Sequence, residues 1–362
     1  MVIRATVSGL ALAILLAGPA AGAAYQAPTT PAKNVRVLAT GGTIAGVSQG
    51  SGIRYQAGVV PIGDIIRAVP GLNDIASVTA EQVANVPSPE MGEVLWLRLL
   101  SRVQAAVSDP ATSGVVITHG TDTLEETAFF LSLVFPSTKP IVVVGSMRPG
   151  TAMSADGPQN LLDAVRVAAA QEARHRGVVV VMNDAIFDPT FVTKSDIRRV
   201  NAFTAPTRGA IGEVLTATPR FFENAAPYAA GFAVSTENLP RVAVVYGYAG
   251  LRDEDIRSAS RGARGLILAG VGAGGFSTSA GRVLKELTSK GIAVVRTARQ
   301  GGGDVWREED PTDVESDVVL GTIAGRELTP AKARILLMLA LQKQRTPAEL
   351  QELFDRYGTG QR

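Results

Sequence analysis

Residues 35–47 read VRVLATGGTIAGV, a β-branched run of buried type that passes without a break into two glycines and a threonine. A strand ending in a tight turn is how an open α/β sheet delivers a side chain to the crevice beyond its carboxyl edge, where such sheets bind their ligands. Gly41 and Gly42 let the backbone turn sharply and approach a neighbour closely, and Thr43 is the side chain so presented. An ordinary tight turn would use the same residues. A dinucleotide-binding turn is a poorer match, because GGTIAG lacks the GxGxxG spacing and residues 46–60, GVSQGSGIRYQAGVV, are polar and glycine-rich where the first helix of such a unit belongs. That stretch reads instead as a mobile loop. Tyr55 in its middle could close over the threonine and share its proton, or stand as a surface aromatic.

The alternation continues outward. Strand-like runs at 115–118, 141–144 and 178–182 are separated by helical periodicity at 93–107, 123–135 and 158–173, the last with Pro158 in its first turn. Residues 35–220 therefore form an N-terminal α/β domain with a mostly parallel sheet. Within the proline- and asparagine-containing stretch from Pro219 to Pro240, residues 221–239 are read as a linker. A smaller C-terminal α/β domain at 240–362 follows, with strands at 242–246, 265–269 and 292–296 and helices at 254–260 and 280–289. Pro330 opens a helix through ARILLMLALQ, and Thr346-Pro347-Ala348-Glu349 sets up a last one, with an N-cap and an acid three residues later.

A second constellation lies in GVVITHGTDTLEET, residues 114–127. His119, Thr121, Asp122 and Thr123 put an imidazole, two hydroxyls and a carboxylate beside a helix N-terminus, whose amides favour an anion such as an α-carboxylate. Helix capping by Asp122 or Thr123 accounts for part of this density. Lys194, in FVTKSDIRR, is by itself a solvated lysine; desolvated beside Thr121 it would serve as a base.

Composition removes the competing chemistries. The chain has 362 residues, 46% of them apolar and 19% charged, enough for two cores. A net charge of +2 offers no broad electrostatic footprint for nucleic acid or anionic lipid, so small neutral partners are favoured. With no cysteine, disulfides, thiol nucleophiles and thiolate metal sites are excluded, and His119 and His175 are too few for a histidine metal cage. At the N-terminus, Arg4 precedes an apolar run at 7–17, then Gly18-Pro19 and small residues. A run of that length falls well short of the about twenty residues that cross a bilayer. Residues 1–23 are read as a signal peptide cleaved near Ala23 or Ala24, leaving a periplasmic or secreted protein with no membrane attachment.

Together these segments resemble the bacterial L-asparaginase family, specifically its exported type II enzymes. ATGGTIAG at 39–46, GVVITHGTDTLEETAFFL at 114–131 and GSMRPGTAMSADGPQNL at 145–161 carry the likeness, and VVVVMND at 178–184, VTKSD at 192–196, AGVGAGG at 269–275 and LTPAKARILLMLAL at 328–341 extend it. The resemblance implies an amidohydrolase converting L-asparagine, and in some members L-glutamine, to the acid and ammonia. It implies a two-domain α/β fold, a homotetramer built from intimate dimers, and no cofactor or metal. Carried over by motif, Thr43 is the nucleophile with Tyr55 on the lid beside it, and Thr121, Lys194 and Asp122 form a second catalytic group. Ser88 and Asp122 hold the substrate's α-carboxylate and α-ammonium groups.

A threonine hydroxyl needs a neighbouring base to become a nucleophile, and the oxyanion it creates needs preorganised donors, for which backbone amides near Gly42 and Ser146 are the candidates. The expected course is a Thr43 ester, with ammonia leaving first and water attacking second; direct attack by water is the alternative. The chain departs from the family at the pocket rim. Pro89 follows Ser88 where relatives usually carry Gln or Glu, with Glu90 one residue later, and Gly275 replaces a polar residue. A glutamate reaching over from the neighbouring subunit would be Glu308 or, preferably, Glu309. A glutaminase-leaning enzyme is the alternative that this rim leaves open.

Overall fold

The structure is a computed structural model and describes residues 33–49, 54–215, 217–224, 231–234 and 239–360; the leader expected at 1–23 lies outside them. The opening stretch forms β1 (Asn34–Gly41), which gives way at Thr43–Ala45 to a single 3-10 turn. The glycine-rich segment that follows contains more order than a mobile loop. β2 (Val47–Gln49) and β3 (Arg54–Gln56) pair antiparallel with Ser48 opposite Tyr55, which brings the tyrosine back toward the end of β1.

Two short helices, α1 (Ile62–Arg67) and α2 (Leu72–Ile75), lead into β4 (Ser77–Val86), and the alternation runs on through α3 (Glu93–Ser108), β5 (Gly114–Thr118), α4 (Leu124–Val134), β6 (Ile141–Val144), α5 (Gly157–Ala169) and β7 (Val178–Met182). After it come β8 (Ala185–Phe187), β9 (Thr193–Lys194), β10 (Phe203–Thr204), β11 (Gly212–Glu213) and β12 (Arg220–Phe221). The large sheet has the order β12-β11-β8-β7-β6-β5-β1-β4. Its five strands from β4 to β7 are parallel, and β8, β11 and β12 extend it antiparallel. Every residue of β5, β6 and β7 is buried, which is why each reads as an unbroken β-branched run: helices cover both faces of the sheet. β4 gives no such signal. It lies at the sheet edge and buries only Val83, so SVTAEQVANV looks like a polar loop in the sequence.

A second, smaller sheet is wholly parallel, ordered β13 (Val242–Tyr246), β14 (Gly265–Gly270), β15 (Ala293–Ala298) and β16 (Ile323–Ala324), with α6 (Asp253–Ser260), α7 (Thr278–Ser289) and α8 (Asp317–Leu320) between strands. The chain closes with α9 (Pro330–Ala340) and α10 (Pro347–Tyr357), the latter opened by the expected capping box between Thr346 and Glu349. α9 packs against β13 and β14 and also against α4 of the large sheet. Leu38, Phe129 and Phe130 therefore share one apolar cluster with Ile267, Val295 and Leu336. This is the mostly parallel two-sheet α/β architecture expected from the sequence.

Candidate active site

β1 and β5 are neighbours in register, Ala39 beside Thr118, so their turns emerge side by side. Thr40 Oγ1–H donates to Thr118 O at 2.9 Å and ties the strand ends together. Past them the two backbones touch. A Cβ on Gly42, which has φ 83°, would lie 2.3 Å from Gly120 Cα, and a Cβ on Gly120 would lie 2.7 Å from Ser88 Cβ. Only glycine permits that approach, and it brings Thr43 and Thr121, each one residue beyond the contact, close to one another and to Ser88.

Each threonine has its own proton partner. Thr43 is buried, and its Oγ1–H donates to the Tyr55 hydroxyl at 2.9 Å. Thr121 is buried too; its Oγ1 accepts from Lys194 Nζ at 2.8 Å, and the same ammonium donates to Asp122 Oδ1 at 2.6 Å. The Lys194 side chain is 14% exposed and the Asp122 carboxylate 59%, so this ion pair opens to the solvent side of the crevice. Ser88 Oγ accepts from the Asp122 N–H at 3.2 Å and Ser88 O from Thr123 Oγ1 at 2.7 Å. Among the described residues the Ser88 hydroxyl proton and the second Asp122 oxygen meet no partner.

The Gly42 N–H is taken by Val86 O at 3.1 Å, whereas the Thr43 and Ile44 N–H groups that follow meet no acceptor among the described residues. Ser146 is fully buried between the two turns: the Cβ position of Gly145 lies 3.1 Å from Thr121 Cγ2, and that of Gly157 lies 3.2 Å from Ile44 Cγ1 and 3.4 Å from Ser146 Cβ. Its hydroxyl donates to Arg148 O at 2.8 Å.

His119 is no catalyst here. It is fully buried, and burial pushes its pKa down to about 4 although its Gly120 bond opposes the shift. Trp96 Nε1–H can only donate, and it does so to Thr127 Oγ1 at 2.9 Å; Thr127 must then donate to His119 Nε2 at 2.9 Å, leaving Nδ1–H to donate to Gly120 O at 2.7 Å. A neutral imidazole thus pins the carbonyl of the glycine at the backbone contact.

Among the described residues, two expected site residues make no hydrogen bond to this cluster. Glu90, in the 3-10 turn Ser88–Glu90, lines an exposed cleft with Glu93, Glu126 and Arg334. Glu309 belongs to the smaller sheet's side, where it pairs with Arg307 at 3.4 Å and lines a cleft with Trp306 and Arg326. Sequence reasoning passed over Glu125, whose Oε2 accepts the Lys194 N–H at 2.6 Å, and Lys332, a charge inside the apolar run ARILLMLAL and its approach.

A mostly parallel α/β fold with two hydroxyls at adjacent strand ends, one hydrogen-bonded to a phenol and one to a lysine–carboxylate pair, is the setting of a hydrolase. A family model described as Asparaginase, N-terminal matches residues 34–227, and one described as Glutaminase/Asparaginase C-terminal domain matches residues 241–354. The chain is 42% identical over 335 residues to L-asparaginase 2 of Bacillus subtilis, covering 90% of this chain and 86% of that protein. It is 42% identical over 356 residues to the glutaminase-asparaginase of Pseudomonas fluorescens, covering 96% and 97%. A crystal structure of a probable cytoplasmic L-asparaginase from Campylobacter jejuni superposes with a TM-score of 0.84 at 40% identity, covering 90% of this chain and all of that one. The chain belongs to the asparaginase/glutaminase family.

Proposed function

We propose that this protein hydrolyses L-asparagine to L-aspartate and ammonia through a Thr43 ester. The observation that carries the reading is the pairing of Thr43 with Tyr55 and of Thr121 with Lys194 and Asp122 on opposite sides of the Gly42–Gly120 contact. Thr43 Oγ1 attacks the side-chain amide carbon while its proton passes to the Tyr55 oxygen and the phenol's own proton moves on to solvent water. The Thr43 N–H and the backbone at Ser146 receive the oxyanion. Thr121 gives its hydroxyl proton to the departing ammonia and is resupplied from Lys194, whose charge Asp122 balances. Water then attacks the ester, releasing aspartate and restoring the Thr43 hydroxyl. Ser88 O–H and the second Asp122 oxygen meet the α-carboxylate and α-ammonium groups.

The 35–220 and 240–362 regions act as catalytic and smaller domains of a homotetramer built from intimate dimers, in which Glu309 of one subunit completes the crevice of another. Its exposed position, far from Thr43 in sequence and on the other sheet's side, fits delivery in trans. The signal-like residues 1–23 direct the chain to the periplasm or medium. Pro89 beside Ser88 offers the substrate no polar group, and this rim leaves room for activity on glutamine beside asparagine.

Steady-state ammonia release tests the reading. Thr43→Ala and Thr121→Ala are each expected to lower kcat by roughly 10²-fold or more, the scale of lost nucleophile activation and general acid–base help. Undiminished turnover in either variant sinks the mechanism, and a higher kcat/KM for glutamine than for asparagine reverses the assigned preference.

A further inference from the structure

Lys332 is fully buried on α9, and the mechanism above makes no use of it. Its Nζ reaches out of the smaller sheet's helix layer to the segment that leads into β9, donating to Thr190 O at 3.0 Å and to Val192 O. Burial pushes its pKa down to about 8 against the opposing fields of Glu125, Asp188 and Glu126, which leaves it mostly an ammonium at neutral pH. A lysine sealed into a core persists only when it is paired, and apolar residues commonly replace such groups without loss of stability. A charge kept here is therefore a poor device for stability alone.

Its acceptors point to what it does. Lys194 sits two residues beyond Val192, on a strand of only two residues that pairs with Phe203–Thr204. So short a strand has little stiffness of its own. Within the segment Asp188 Oδ1 accepts from the Thr190 N–H at 2.7 Å, and from outside Lys332 donates to the carbonyls of Thr190 and Val192 while Glu125 Oε2 accepts from the Lys194 N–H at 2.6 Å. Glu125 and Asp188 are two of the carboxylates whose fields stabilise the Lys332 ammonium, so charge and backbone form one clamp.

We propose that Lys332 is a positioning residue for the reaction, fixing the Thr190 and Val192 carbonyls and so aiming Lys194 Nζ at Thr121 and Asp122. This rests on the assignment of Lys194 to the proton relay. It makes the closing helix of the smaller sheet a structural partner of the large sheet's chemistry.

Ammonia release from L-asparagine by the full-length protein, scaled to the folded fraction, tests it. Lys332→Met is expected to lower kcat tenfold or more with KM changed less than threefold. Leu336→Ala removes a fully buried side chain from the same helix and is expected to lower Tm while keeping kcat within twofold. A kcat loss in Lys332→Met no larger than that in Leu336→Ala, or a change confined to KM, overturns the proposal. Lys194→Met checks the reading beneath it: full activity there removes the relay itself, whereas an inactive Lys194→Met beside an active Lys332→Met removes only the positioning role. If Lys332→Met does not accumulate folded, Lys332→Gln, which keeps a single short donor group, is held to the same comparison.

Discussion

The buried His119 gives the site an acid-labile support. Its folded-state pKa of about 4 lies below that of an exposed histidine, so the unfolded chain takes up the proton first as pH falls. The associated stability is complete above about pH 6.5 and is lost as pH drops toward 4, to a limit of about 3 kcal/mol. Urea midpoints measured from pH 7 to 5 are expected to decline in the parent and to flatten in His119→Gln; equal slopes would assign the decline to other groups. Thr43 and Thr121 were legible in the sequence because each is a polar side chain immediately after a run of strand residues, where an open sheet displays its ligands. Lys332 was not. A lysine in LTPAKARILLMLAL is read onto a helix's wet side, and only the structure shows that α9 has almost no wet side. Glu90 and Glu309 were named from motif register alone, and each lines a cleft with side chains other than the two threonines.

Among elements, the turn after β1 and the turn after β5 act as one unit because no side chain stands between them. Gly120→Ala would drive a Cβ to 2.7 Å from Ser88 and 3.1 Å from Gly42 Cα. Overpacking of this kind costs about 1–3 kcal/mol. The larger effect is expected on turnover, a fall of roughly 10²-fold as the two hydroxyls separate by a fraction of an ångström or more. Wild-type kcat in Gly120→Ala would mean that the turns tolerate separation. Central strands and amphipathic helices announced themselves through burial on both faces or on one; β4 and the β2–β3 hairpin did not, since an edge strand and a short exposed hairpin bury too little to leave a hydrophobic period. Tyr55 nonetheless reaches Thr43 because Ser48 pairs with it across that hairpin.

Over the whole molecule, two sheets share one apolar cluster, and α9 is its common member. The two are therefore expected to unfold together. Trp96, 2% exposed beside the large sheet, and Trp306, 66% exposed on the smaller sheet's side, are the chain's only tryptophans and report on each. Urea titrations of Trp306→Phe and Trp96→Phe, each followed against far-UV circular dichroism, are expected to show fluorescence and dichroism changing together, a single cooperative event. A fluorescence change that precedes the dichroism change in either variant would separate the sheets. The order of manufacture gives the shared helix another consequence. α4 leaves the ribosome about two hundred residues before α9, on the order of ten seconds or longer at ordinary elongation rates. For that interval Phe129, Phe130 and their neighbours lack their final cover, and a nascent chain stopped before Pro330 is a client for holding chaperones rather than a smaller version of the enzyme.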